Sequence, residues 1–88
     1  MVAGSRLLFD RIDLQPGMKL LDVGCGPGRL SIPAAERVGP DGRVVALDVQ
    51  EKMLSRLQDR IQKLGLENIQ HFGNWLAFTL NFIKPDAG

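Results

Sequence analysis

Three short apolar runs, separated by polar and glycine-rich breaks, set the frame of this chain. They are Met18-Lys-Leu-Leu-Asp-Val23, Arg43-Val-Val-Ala-Leu-Asp48 and Asn68-Ile-Gln-His-Phe72. Each is too short for a stable helix and rich in branched or aromatic residues, so each reads as a β-strand. The segments between them carry a different period. Residues 3–12 place Leu7, Leu8 and Ile12 at helical spacing. Residues 50–64 put Met53, Leu54, Leu57, Ile61 and Leu64 on one stripe. Glu51, Lys52, Arg56, Asp59, Arg60 and Lys63 lie largely off it, as the solvated face of a helix. Gly65 suits the left-handed position that ends such a helix. Gln15-Pro16-Gly17 and Gly39-Pro40-Asp41-Gly42 are turns. A further helix is expected after the glycine-rich turn at 24–28 and up to about Val38. With Ser31 as its N-cap, Pro33 falls in the first turn, where the missing N–H costs no hydrogen bond.

Strands alternating with helices over these distances imply right-handed crossovers and a parallel sheet. The expected fold class is α/β, three parallel strands with flanking helices, one half of a doubly wound fold. The first strand is mostly apolar, as a strand covered on both faces should be. The segment from Gly73 is ambiguous. Leu76, Phe78, Leu80 and Phe82 alternate with Ala77, Thr79 and Asn81 as in a strand, while Leu76, Leu80 and Ile83 also satisfy a helix. A run this short leaves both readings open.

Composition narrows the setting. Eighty-eight residues make one small domain, which buries roughly 60% of its unfolded surface and is marginally stable alone. With 44% hydrophobic and 24% charged residues the chain is unlike a disordered one. A net charge of +1, with both signs interspersed, gives no signal for nucleic acid or an anionic membrane. The single cysteine excludes an internal disulfide framework and fits a reducing compartment, and no apolar run reaches the roughly 18 residues of a membrane span. The expected location is the cytoplasm.

The chemistry lies in the turn after the first strand. Asp22-Val-Gly24-Cys25-Gly26-Pro27-Gly28 has the form acid-x-Gly-x-Gly-x-Gly, and a second acid, Asp48, closes the second strand. A strand turning sharply into a helix aims backbone N–H groups and a positive dipole end at the space above the sheet. Glycines there let a ligand approach the backbone. A carboxylate at the end of the second strand can accept two ribose hydroxyls and repels a 2′-phosphate. The dinucleotide fingerprint Gly-x-Gly-x-x-Gly needs Gly or Ala at position 29, where this chain has Arg29, so a nicotinamide cofactor is disfavoured. Cys25 reads as a small residue filling the loop more readily than as a reactive thiol. His71, alone on a short strand, reads as a surface or hydrogen-bonded residue. Trp75, Phe78 and Phe82 are candidates for stacking on a base, with core or subunit contact the better reading.

Leu21-Asp22-Val23-Gly24-Cys25-Gly26-Pro27-Gly28, with Val45-Ala46-Leu47-Asp48 and Met53-Leu54 in register after it, strongly resembles the class I S-adenosylmethionine (SAM)-dependent methyltransferases. The resemblance covers about residues 5 to 72. It implies a truncated Rossmann-like methyltransferase fold, residues 1–88 forming a single SAM-binding half-domain with a divergent apolar tail over 73–88. It implies SAM as cofactor and S-adenosylhomocysteine (SAH) as its product. By position, the backbone of Gly24, Cys25, Gly26, Pro27 and Gly28 would hold the methionine part and Asp22 would lie near its amino group. Asp48 would bind the ribose hydroxyls, Val49 would pack on the adenine, and the amide oxygen of Asn74 would receive the adenine amino group. The family often has an acid at this last position. No residue is assigned as catalytic or as a metal ligand, and the methyl acceptor is not legible. The segments that carry the acceptor pocket in the family have no counterpart here, so the chain is not expected to be active alone. A second expectation, from another class, is a non-catalytic interaction module. Three strands leave the first strand's apolar edge open, and such edges seek partners, so a homodimer or higher oligomer is expected.

Overall fold

The computed structural model describes the backbone of residues 2–83 and the side chains of residues 5–81. The elements alternate as expected: α1 (Val2–Arg11), β1 (Lys19–Val23), α2 (Ser31–Val38), β2 (Arg43–Leu47), α3 (Glu51–Leu64), β3 (Ile69–Phe72) and α4 (Trp75–Ile83). The strands form one parallel sheet in the order β1-β2-β3. The fold class is α/β, and the part of the expected tail beyond residue 83 lies outside the described residues.

Strand alternation decides which residues enter the core, because successive side chains point to opposite faces. Val44, Ala46 and Ile69 are buried on the inner face, where they meet Phe9, Leu14, Ile32, Ala35, Leu57 and Ile61 from the α1 to α3 side. Leu57 and Ile61 sit at the centre of the α3 stripe, and the Gly65 N–H, in left-handed conformation (φ 66°), closes the helix on the Ile61 and Gln62 carbonyls. The inner face also holds His71, whose Nε2 lies 2.6 Å from Gln58 Oε1 on α3, so that imidazole is a structural partner.

The outer face departs from expectation. Leu21 is 42% and Val23 59% exposed, so among the described residues β1 is covered on one side only. The cause is that α1, α2 and α3 serve the inner face, while α4 alone reaches the outer one. There Phe78 closes part of a groove over Leu21, Val45 and Phe72.

Two local features differ from the sequence reading. Ser31 is the first residue of α2 rather than its cap; Leu30 precedes the helix and no side chain caps it. Pro33 is still in the first turn, where N–H groups lack intrahelical partners. The segment after Gly73 is a helix because Asn74 starts it: the Asn74 side-chain Oδ1 accepts the Ala77 N–H at 2.8 Å, and its main-chain oxygen accepts the Phe78 N–H at 3.2 Å.

Candidate functional site

The carboxyl ends of all three strands open into one cleft of about 440 Å³, lined by Val23, Gly24, Leu47, Asp48, Val49, Gln50, Asn74 and Trp75. Parallel strands put these ends on one edge of the sheet, the usual place for a ligand in an open α/β fold. A larger cleft, of about 530 Å³, lies at the other end, between the 39–43 and 65–68 loops. Its principal amide, Asn68 Nδ2, is spent on the Ala35 and Gly39 carbonyls at 2.8 and 2.7 Å, which marks it as a brace between loops.

The glycine turn is shaped by backbone bonds. Leu47, the last residue of β2, accepts from both Gly24 N–H (2.7 Å) and Cys25 N–H (2.9 Å), so the β1–β2 ladder runs on into the turn. Gly24, Gly26 and Gly28 then take φ values of 73°, 56° and 94°. The three glycines do different jobs. A Cβ at Gly24 or Gly26 would meet nothing within 4 Å, so open space lies above them. At Gly28 a Cβ would strike Leu57, so that glycine admits α3 rather than a ligand.

Asp48 ties the turn to the next loop. Its Oδ2 accepts the Gly26 N–H at 2.8 Å and its Oδ1 the Gln50 N–H at 2.8 Å. A carboxylate has about four acceptor sites, so two remain for a ligand's hydroxyls. The Gly28 N–H bonds the Cys25 carbonyl at 3.1 Å. Thus the N–H groups of Gly24, Cys25, Gly26 and Gly28 all have partners inside the protein. The expected row of free donors is not what the turn offers; it offers close approach and a carboxylate.

Asp22, beneath the turn, accepts the Ser31 hydroxyl at 2.5 Å, and Ser31 is fully buried. Charge-assisted bonds of this kind are short and strong. Arg60 on α3 donates to the Pro27 carbonyl at 3.0 Å, holding the far side of the turn. Neither Ser31 nor Arg60 stands out in the sequence in these roles, since their partners lie 9 and 33 positions away.

The structure brings Gly24, Asp48, Val49 and Asn74 together in the cleft lining, with Gly26 joined to them through Asp48. Asp22, Cys25, Pro27 and Gly28 shape the turn from behind or beside it. Trp75 joins the lining, Phe78 packs edge-on between Phe72 and Trp75, and the Phe82 side chain lies outside the described residues.

Cys25 is buried, and its thiol pKa is pushed up to about 11, first by burial and then by the negative charges of Asp22 and Asp48. It is therefore neutral at physiological pH, and a thiol reagent at pH 8 should leave it unmodified until the chain is unfolded. Native-state labelling at the rate of a free thiol would contradict this. Because the folded pKa is raised above the unfolded value of 9.0, the thiol's contribution to stability is whole below pH 9 and is lost as pH rises towards 11. The denaturation midpoint should fall across that window.

These features can be set beside known proteins. A protein-family model described as a methyltransferase domain matches residues 14–81. Nocamycin O-methyltransferase of Saccharothrix syringae is 46% identical over 65 residues, which is 74% of this chain and 23% of that protein. Demethylmenaquinone methyltransferase of Bacillus cytotoxicus is 42% identical over 59 residues, 67% of this chain and 25% of that one. The chain thus spans about a quarter of the length of these curated relatives. Among solved structures, a SAM-dependent methyltransferase from Aquifex aeolicus is similar with a TM-score of 0.74 and 34% identity, over 80% of this chain and 37% of that one. Coclaurine N-methyltransferase, solved with N-methylheliamine and SAH, is similar with a TM-score of 0.78 and 25% identity, over 83% of this chain and 21% of that one.

Proposed function

The chain belongs to the class I SAM-dependent methyltransferase family, and from that premise we propose that it is the part of such an enzyme that holds the cofactor. The observation that carries the proposal is the Asp48 carboxylate, fixed by the Gly26 and Gln50 N–H groups at the mouth of the strand-end cleft. It is placed to receive a ribose with its two remaining acceptor sites. Open space over Gly24 and Gly26 leaves room for the amino-acid arm, and Val49 and Asn74 lie towards the base. Asp22, braced by Ser31, supplies charge for the cofactor's ammonium group.

The electrostatics favour SAM over a dinucleotide. Two carboxylates beside the turn, Asp22 and Asp48, make it negative. Such a site suits a sulfonium and an ammonium group and opposes a pyrophosphate, which would also find the N–H groups of Gly24, Cys25, Gly26 and Gly28 already bonded. When bound, SAM supplies an electrophilic methyl group on sulfur, and the chain's share of the work is to orient it. The proposal concerns binding; acceptor choice and transfer belong to the whole protein. Calorimetric titration of the folded chain with SAH should give a saturable isotherm. A flat trace at millimolar ligand would remove the reading.

A second reading is favoured by one observation. The outer face leaves Leu21 and Val23 exposed on β1, which lies at an edge of the sheet, and α4 leaves Leu76 and Leu80 exposed. A surface of this kind seeks cover. The chain, by this reading, self-associates as a homodimer or higher oligomer through that face. Light scattering at micromolar concentration should give at least twice the 9.7 kDa chain mass, and a monomeric mass would end it.

A further inference from the structure

We propose that Ser31, which lies outside the glycine and aspartate motifs, is the positioning residue for the cofactor's amino group: its buried hydroxyl sets the plane of the Asp22 carboxylate, so that one oxygen is presented to the ammonium and ligands that carry it are selected. This rests on the reading of the cleft and turn as a site for an adenosyl amino acid. Asp22 lies one residue behind the cleft, which Val23 and Gly24 line. Its partner on β2 is Ala46, buried on the inner face, so the Asp22 side chain leaves the sheet on that face, beneath the turn.

A carboxylate at such a place is free to turn. The torsion that sets its plane is broad and roughly two-fold, so rotamer preference alone leaves the oxygens undirected. A bond from an immobile donor directs them. Ser31 Oγ donates to Asp22 Oδ2 at 2.5 Å, and Ser31 is fully buried at the start of α2, with Ile32, Ala34 and Ala35 of the same helix buried beside it. No side chain caps α2, and the hydroxyl at its start is given to Asp22 instead. Asp22 Oδ1 is in the opposite condition. Its residue is only half-buried, and none of the described residues donates to this oxygen. No buried side-chain oxygen among them lacks a partner, so Oδ1 reaches solvent. One oxygen is thus held from the core and the other is offered outward. A charge-assisted bond to an ammonium gains from a carboxylate already held, because less freedom is lost on binding.

The test is calorimetric titration with SAH and with its deaminated analogue, in which hydrogen replaces the amino group. It is run on the wild type, Ser31→Ala, Ser31→Cys and Asp22→Asn, with a urea midpoint to establish that each is folded. Ser31→Cys keeps the core filled and offers only a weak donor. The wild type is expected to prefer SAH by about ten-fold or more. In the folded Ser31 variants SAH should weaken by about five- to ten-fold while the analogue stays within about two-fold, so that the preference collapses. Asp22→Asn should also lose the preference, and adding Ser31→Ala to it should shift either affinity by less than about two-fold. Equal weakening of both ligands in the folded Ser31 variants would make Ser31 structural alone. That result, unaltered SAH affinity in those variants, or a wild type indifferent to the amino group each overturns the proposal and leaves the cleft reading standing. No binding of either ligand to the folded wild type overturns both.

Discussion

Asp48→Ala is expected to weaken SAH binding by at least about a hundred-fold while the chain stays folded. The side chain makes two contacts within the protein, to Gly26 N–H and Gln50 N–H, and is proposed to make two more to the ribose. Hydrogen bonds to a charged group contribute about 1.5–3 kcal/mol each, so losing two to the ligand exceeds the roughly 2.7 kcal/mol of a hundred-fold change. The protein contacts are at a partly exposed loop, where freed N–H groups can turn to water. The fold should therefore lose only about 1–2 kcal/mol, read as a modest drop in the urea midpoint. Asp48→Asn separates charge from shape: it keeps an acceptor oxygen, and its affinity should fall between those of the wild type and the alanine variant. Equal SAH affinity in wild type and Asp48→Ala would show that the carboxylate is structural alone.

Gly28→Ala is expected to be strongly destabilising. A Cβ at this position would lie 2.5 Å from Leu57 Cδ1 and 3.1 Å from Ile32 Cδ1, closer than carbon atoms pack. Leu57 is fully buried in the core, so its methyl group can move only against other core side chains. Overpacking of this kind costs about 1–3 kcal/mol. The φ of 94° adds strain of about 1–2 kcal/mol for a residue with a side chain. Together these reach about 2–5 kcal/mol. A small domain holds about 0.05–0.15 kcal/mol per residue, so much of the stability of a chain of 88 residues would go. Chemical denaturation should show the midpoint falling steeply. Gly26→Ala is the control, since it meets only open space and carries only the dihedral cost. A Gly28→Ala midpoint as high as that of Gly26→Ala would mean that the approach of α3 to the turn is not tight.

Legibility from sequence followed the range of the interaction. The strand–turn–helix order and the paired Asp22 and Asp48 were readable because each is a local pattern: an apolar run, a punctuating glycine, an acid at a strand end. The helix after Gly73 was not, because its residues satisfy two periods at once. What decides it is a single cap bond from Asn74, and Asn was read only as a ligand contact. Ser31 was read as a cap because Ser favours that position, whereas tertiary structure gives its hydroxyl to Asp22. The bonding of the glycine-turn N–H groups to Leu47 and Asp48 depends on the register of β1 against β2, which no pattern in the turn reports. The half-covered β1 has the same origin: an apolar run tells that a strand is suited to burial, not how many faces are buried.

The measurement that tests the account most directly is residue-resolved amide and indole chemical-shift mapping of the labelled chain during titration with SAH. The account predicts the largest shifts at Gly24, Gly26, Val49 and the Trp75 indole N–H, with little change at the 39–43 and 65–68 loops at the other end of the sheet. Shifts concentrated at those loops, or none from a folded chain at millimolar ligand, would contradict a cofactor site across the strand ends.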